Sequence, residues 1–95
     1  MVASVLMIVI VTLYTRQGCH LCAHAKATIL ATRPADFVLE EVDIDADPDL
    51  RERYTNDVPV VAINGVDLFW HHVDPAAFAS EVGRASTTRG DRPAS

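Results

Sequence analysis

The stretch Val5-Leu6-Met7-Ile8-Val9-Ile10-Val11-Thr12-Leu13-Tyr14 is dense in β-branched residues and apolar on both faces. A strand of that kind needs both faces covered, which is the situation of a central strand in an α/β sheet with helices on either side. The run is well short of the ~18 apolar residues that a membrane helix requires, so it is not expected to span a bilayer. A secretory signal would carry basic residues ahead of its apolar segment, whereas the first basic residue, Arg16, comes after it. The expected location is therefore cytoplasmic. A chain of 95 residues builds one core around such a strand.

The rest of the chain supplies the covering elements. After the turn Thr15-Arg16-Gln17-Gly18, residues Cys19 to Arg33 predict a helix with Cys22, Ala25 and Ile29 on one face and Pro34 closing it. Phe37 to Ile44 has strand composition, which completes a right-handed parallel strand-helix-strand unit. Asp47-Pro48 is an N-cap followed by proline at the first helical position, and predicts a short charged helix to Tyr54. Val58 to Ile63 and Val66 to Trp70 flank Asn64-Gly65, a two-residue hairpin turn. Asp74-Pro75 repeats the helix-start signature for Ala76 to Arg84. The small, polar segment Ala85 to Ser95 predicts a frayed tail. The domain is thus expected over residues 1–84 and the flexible tail over 85–95, in the order β-α-β-α-β-β-α.

Composition narrows the function. The chain is 49% hydrophobic and 22% charged, with a formal net charge of −5. That sign is wrong for a protein that neutralises phosphates, so nucleic acid is not an expected partner. Nine carboxylates, Asp36, Glu40, Glu41, Asp43, Asp45, Asp47, Asp49, Glu52 and Asp57, fall in one segment with only Arg51 and Arg53 among them. A solvated face and helix caps account for most of them, and steering of a basic partner protein is the sharper alternative.

The two cysteines, Cys19 and Cys22, stand in one Cys-His-Leu-Cys motif. A bridge between them closes almost no loop and constrains the unfolded chain little, so the pair is chemical before it is structural. At a helix start, unpaired N–H groups and the helix dipole favour an anion and lower a thiol pKa from ~8.5. Cys19 is accordingly the expected attacking thiolate, and Cys22, one turn on and facing the core, the resolving thiol. The competing chemistry is metal. Zinc normally takes four ligands and there is no second cysteine pair. His20 and His24 share the helix face opposite Cys22, and adjacent His71 and His72 are expected on opposite sides of a strand, so no metal site is expected. A module holding zinc or an iron–sulfur cluster through the cysteines remains the alternative reading.

Leu13 to Cys22, followed by Asp57-Val58-Pro59-Val60-Val61-Ala62-Ile63-Asn64-Gly65, resembles the glutaredoxin-like branch of the thioredoxin superfamily over roughly Ile8 to Arg84. The resemblance implies a thioredoxin-like α/β fold with a four-stranded mixed sheet in the order 2-1-3-4 and three flanking helices. It implies a cis bond before Pro59, placed against the cysteines, and backbone pairing of Val58 with substrate. It also puts Arg16 where the family usually carries a lysine for the glutathione carboxylate. The expected activity is thiol–disulfide exchange without a bound cofactor. A disulfide-bearing protein or small-thiol substrate, with glutathione, mycothiol or a protein reductase as electron source, is the expected partner of a monomer. Three departures stand out, one being that His71-His72-Val73-Asp74 lacks the acidic residue at the family's usual offset, Asp74 reading as an N-cap. His20-Leu21 replaces the usual Pro-Tyr or Pro-Phe, setting an imidazole beside the nucleophile, and Phe69-Trp70 lies near where a Gly-Gly pair would cradle glutathione.

Overall fold

A computed structural model describes residues 8–32 and 36–91. Strand β1 (Ile10–Thr15) leads into helix α1 (His20–Ala31) and strand β2 (Val38–Asp43), then a 3-10 turn (Ile44–Ala46) and helix α2 (Pro48–Tyr54). Strands β3 (Val60–Ile63) and β4 (Val66–Trp70) form the hairpin, and helix α3 (Pro75–Asp91) closes the order. The sheet order is β2-β1-β3-β4, with β1 parallel to β2 and antiparallel to β3. This is the α/β thioredoxin-like fold.

The sheet separates two apolar clusters. On one face Val11 and Leu13 of β1 pack with Ala25, Ile29, Phe37, Val61, Ile63, Phe78 and Val82, which joins α1 and α3 to the sheet. Phe78 is fully buried at the centre, with Phe37 edge-on at 5.7 Å and Phe69 at 6.2 Å between ring centroids. On the other face Ile44, Tyr54 and Val60 pack with Tyr14, Leu50 and Val58 under α2. Tyr54 stacks on Tyr14 at 4.6 Å and donates its hydroxyl hydrogen to Asp67 Oδ2 at 2.8 Å. Burial, and then the bond to Asp67, push the Tyr54 hydroxyl pKa above its ordinary value.

Three expectations need correction. β1 is sealed on only one face: Ile8 and Ile10 are 59% and 37% exposed. The reason is length, since the seven residues of α2 extend roughly 10 Å while the six of β1 extend roughly 20 Å. α2 covers the Tyr14 end and leaves the Ile10 end open. The expected frayed tail from Ala85 is also wrong at its start, because α3 runs on to Asp91. Nothing in Ala85 to Asp91 breaks a helix as a proline would; the next proline is Pro93. Finally, the strand expected from Phe37 to Ile44 gives up Ile44 to the 3-10 turn, where Asp43 Oδ1 accepts from the Asp45 amide at 2.9 Å. Val5 to Met7, Arg33-Pro34 and the last four residues, about which expectations were stated, lie outside the described residues.

The hairpin and caps form as their residues dictate. Asn64 and Gly65 take φ of 50° and 86°, the paired positive values of a type I′ turn. Asn64 also clamps the start of β1, accepting from the Ile10 amide through Oδ1 and donating its own amide to Ile10 O. Asp47 and Asp74 cap α2 and α3 by accepting from the Asp49 and Ala77 amides. Because Phe78 fills the space between α3 and the sheet, Phe78→Ala should destabilise the domain by about 3–5 kcal/mol. Urea unfolding would read this as a lower midpoint with an unchanged slope.

Candidate active site

The site begins where β1 ends. Arg16, Gln17 and Gly18 turn the chain, and Gly18 at φ +77° occupies the left-handed region that glycine enters without strain. Cys19 follows as N-cap of α1 in extended conformation, with φ −92° and ψ 108°. Its carbonyl accepts from the Ala23 amide, and its sulfur accepts from the Cys22 amide at 3.1 Å. Cys19 and Cys22 are joined as a disulfide, with Cα atoms 5.2 Å apart. Cys22 is buried and Cys19 half-buried, so one sulfur faces the core and the other the edge of the site. His20, the first residue of α1, is exposed.

β3 starts at the same end of the sheet. Val60 pairs with Tyr14, so Pro59 enters opposite the end of β1, where the chain departs toward Cys19. The Val58–Pro59 bond is cis and Pro59 is fully buried. The Val58 amide donates to Tyr54 O at 3.1 Å, and Pro59 O accepts from the His71 amide at 2.8 Å. The Val58 N–H is therefore already engaged within the chain.

Arg16 lies differently from a free substrate-binding cation. Its Nη2 and Nε donate to the two oxygens of Asp45 at 2.7 and 3.1 Å, and its Nη1 donates to Thr55 O at 3.2 Å. Arg51 Nε also reaches Asp45 Oδ1, at 3.3 Å. The Arg16 hydrogen bond is the main reason that the Asp45 pKa lies below the ordinary carboxylate value.

A groove of about 310 Å³ runs beside the active-site helix, between Leu21, His24, Ala25 and Thr28 of α1 and the segment His71-His72-Val73. Both adjacent histidines line it, contrary to the expectation of opposite sides. β4 ends at Trp70, His71 takes φ 69°, and the His72 amide donates to Trp70 O at 2.7 Å. That three-residue γ-turn cancels the alternation a strand would impose. No local sequence signal announces it. Among the described residues, no group of three or more His, Cys, Asp or Glu is placed to hold a metal ion. Likewise, no described helix is long and apolar enough to cross a membrane.

Fold and site together define a thioredoxin-superfamily domain with a Cys-x-x-Cys pair at the start of its first helix. The model of the glutaredoxin-like domain family DUF836 matches residues 10–83, and the chain belongs to that family. A glutaredoxin-like protein of Dictyostelium discoideum is 37% identical over 68 residues, covering 64% of this chain and 63% of that relative. The chain thus aligns with less than two thirds of that protein's length. Among solved structures, glutaredoxin from Brucella melitensis is 28% identical with a TM-score of 0.56, over 86% of this chain and 89% of that one. A thioredoxin variant from Halobacterium salinarum, 18% identical with a TM-score of 0.61, covers 82% of this chain and 74% of its own, a likeness of fold.

The lowered Asp45 pKa makes the pair with Arg16 pH-dependent. Its contribution to stability is present above the unfolded carboxylate value of ~3.9 and is lost as pH falls through the lower folded value. Between pH 6 and pH 3 the urea midpoint of the native chain should therefore drop further than that of Asp45→Asn. Equal drops would contradict the ion pair.

Proposed function

We propose that the protein is a thiol–disulfide oxidoreductase in which Cys19 is the nucleophile and Cys22 the resolving thiol. The observation that carries this reading is the Cys22 amide directed at Cys19 Sγ from 3.1 Å. In the reduced protein, that N–H and the helix dipole would stabilise a thiolate at Cys19. The thiolate attacks one sulfur of a substrate disulfide, forming a mixed disulfide and releasing the other sulfur as a thiolate that takes a proton from water. Cys22, deprotonated, then attacks Cys19 Sγ, which frees the second substrate thiol and leaves the Cys19–Cys22 disulfide. Two electrons have passed to the substrate. Two equivalents of a low-molecular-weight thiol such as glutathione or mycothiol, or a protein reductase, return them, and no bound cofactor takes part.

Substrate is proposed to approach along the Val58–Pro59 edge, with the Val58 carbonyl as the acceptor and His20 at the entrance, in the cytoplasm. Without a Gly-Gly cradle, glutathione has fewer backbone partners. Two lost hydrogen bonds at ~1 kcal/mol each weaken its binding by roughly ten- to a hundredfold. Glutathione-coupled turnover should accordingly be poor beside that with another small thiol or a protein reductase.

Alkylation of the reduced protein against pH tests the mechanism. Cys19 should titrate well below the free-thiol value of ~8.5 while Cys22 reacts slowly. Cys22→Ser should accumulate a mixed disulfide through Cys19, and Cys19→Ser none. Equal reactivity of the two thiols would remove the mechanism.

A further inference from the structure

We infer that Arg16 is a positioning residue that locks the Cys19 loop to the turn carrying Pro59, and is not the cation that receives a substrate carboxylate. The inference rests on the thiol-exchange reading. Arg16 is three residues before Cys19, and Thr55, whose carbonyl it holds at 3.2 Å, is three residues before Val58. The same guanidinium grips both Asp45 oxygens, and Asp45 belongs to the 3-10 turn after β2. One side chain therefore ties together three segments at the site end of the sheet. Arg51 of α2 also binds Asp45, so the 3-10 turn and α2 have a second tie, and what Arg16 adds is the loop that leads to Cys19.

Donor geometry argues against a second duty of the same kind, because the side-on Nε–Nη2 edge that pairs best with a carboxylate is already taken by Asp45. A guanidinium has five N–H donors; three are directed at Asp45 and Thr55, one from each nitrogen. Charge argues the same way. The cleft of about 330 Å³ beside Arg16 is lined by Thr15, Gln17, Glu41 and Asp43 as well, so an incoming carboxylate meets two carboxylates at the mouth. Glu41 is bound by Lys26 at 2.8 Å, and Asp43 spends one oxygen on the Asp45 amide. The fork geometry, in which one planar group reaches both Asp45 and the Thr55 carbonyl, is also one that an ammonium does not reproduce.

The two roles predict opposite effects of freeing Arg16 from Asp45. Steady-state reduction of glutathione disulfide, which carries carboxylates, and of cystamine, which carries none, would be measured for Arg16→Gln, Arg16→Lys, Asp45→Asn and the double variant Arg16→Gln/Asp45→Asn. If Arg16 positions the loop, Arg16→Gln and Asp45→Asn both lower kcat by about ten- to a hundredfold on both substrates. KM then stays within about twofold, Arg16→Lys does not rescue, and the double variant is no worse than the worse single one. A lower KM of Asp45→Asn for glutathione disulfide alone, or native turnover in Arg16→Lys, would overturn the inference. Hydrogen exchange of the full chain separates this from the function itself. The amides of Gln17, Gly18 and Asn56 should exchange faster in both Arg16→Gln and Asp45→Asn, and unchanged exchange overturns the clamp. A native protein that reduces no disulfide overturns the thiol-exchange reading, and the exchange arm still decides whether the strut exists.

Discussion

The Cys22 amide that points at Cys19 Sγ is one of the donors an α-helix leaves unpaired at its first turn. At most N-caps such a donor is met by a serine, threonine or aspartate oxygen. Here the cap atom is sulfur, so the group that completes the helix is also the group that would do the chemistry. On the proposed reading, the N-terminal turn of α1 would stabilise an anion at Cys19 in the reduced protein, on a residue that is half-buried and one helical turn from its partner. The rest of the architecture keeps that turn in place: β1 is central, paired on both sides, and hands the chain over at Thr15.

The same economy governs the charges. Four of the nine carboxylates between Asp36 and Asp57 have local duties. Asp43 caps the 3-10 turn, Asp47 caps α2, Glu41 holds Lys26, and Asp45 is the hub between Arg16 and Arg51. These pairs are mostly exposed, so each adds little to stability at physiological salt. On the inference drawn above, the value of the Arg16 contacts is geometric, since they would fix the loop before Cys19 against Asp45 and Thr55.

The sequence carries the elements more clearly than their relations. Val11 and Leu13, the Asn64-Gly65 turn and the Asp-Pro caps are signals within a few residues of one another, and each forms as read. Cys19 and Cys22 were readable for the same reason, because an i, i+3 spacing on a helix is local. The pairing of Arg16 with Asp45 spans 29 residues and depends on the parallel register of β1 with β2, which no short pattern encodes. The γ-turn at His71 is hidden because positive φ is uncommon in any non-glycine residue, so an adjacent pair after a strand reads as more strand. The length of α3 is not legible locally, because small polar residues look like tail until a helix already anchored by Phe78 and Val82 carries through them.

The central claim is that Cys19 and Cys22 form a reversible redox pair, not a fixed staple. Equilibrating the protein in thiol–disulfide buffers and counting free thiols by mass after acid quench and alkylation measures this directly. The account predicts a reversible two-electron transition of the folded protein, with a midpoint in the span of thiol–disulfide enzymes, roughly −120 to −270 mV. A midpoint below roughly −300 mV, or unfolding on reduction, would mark a structural disulfide and contradict it.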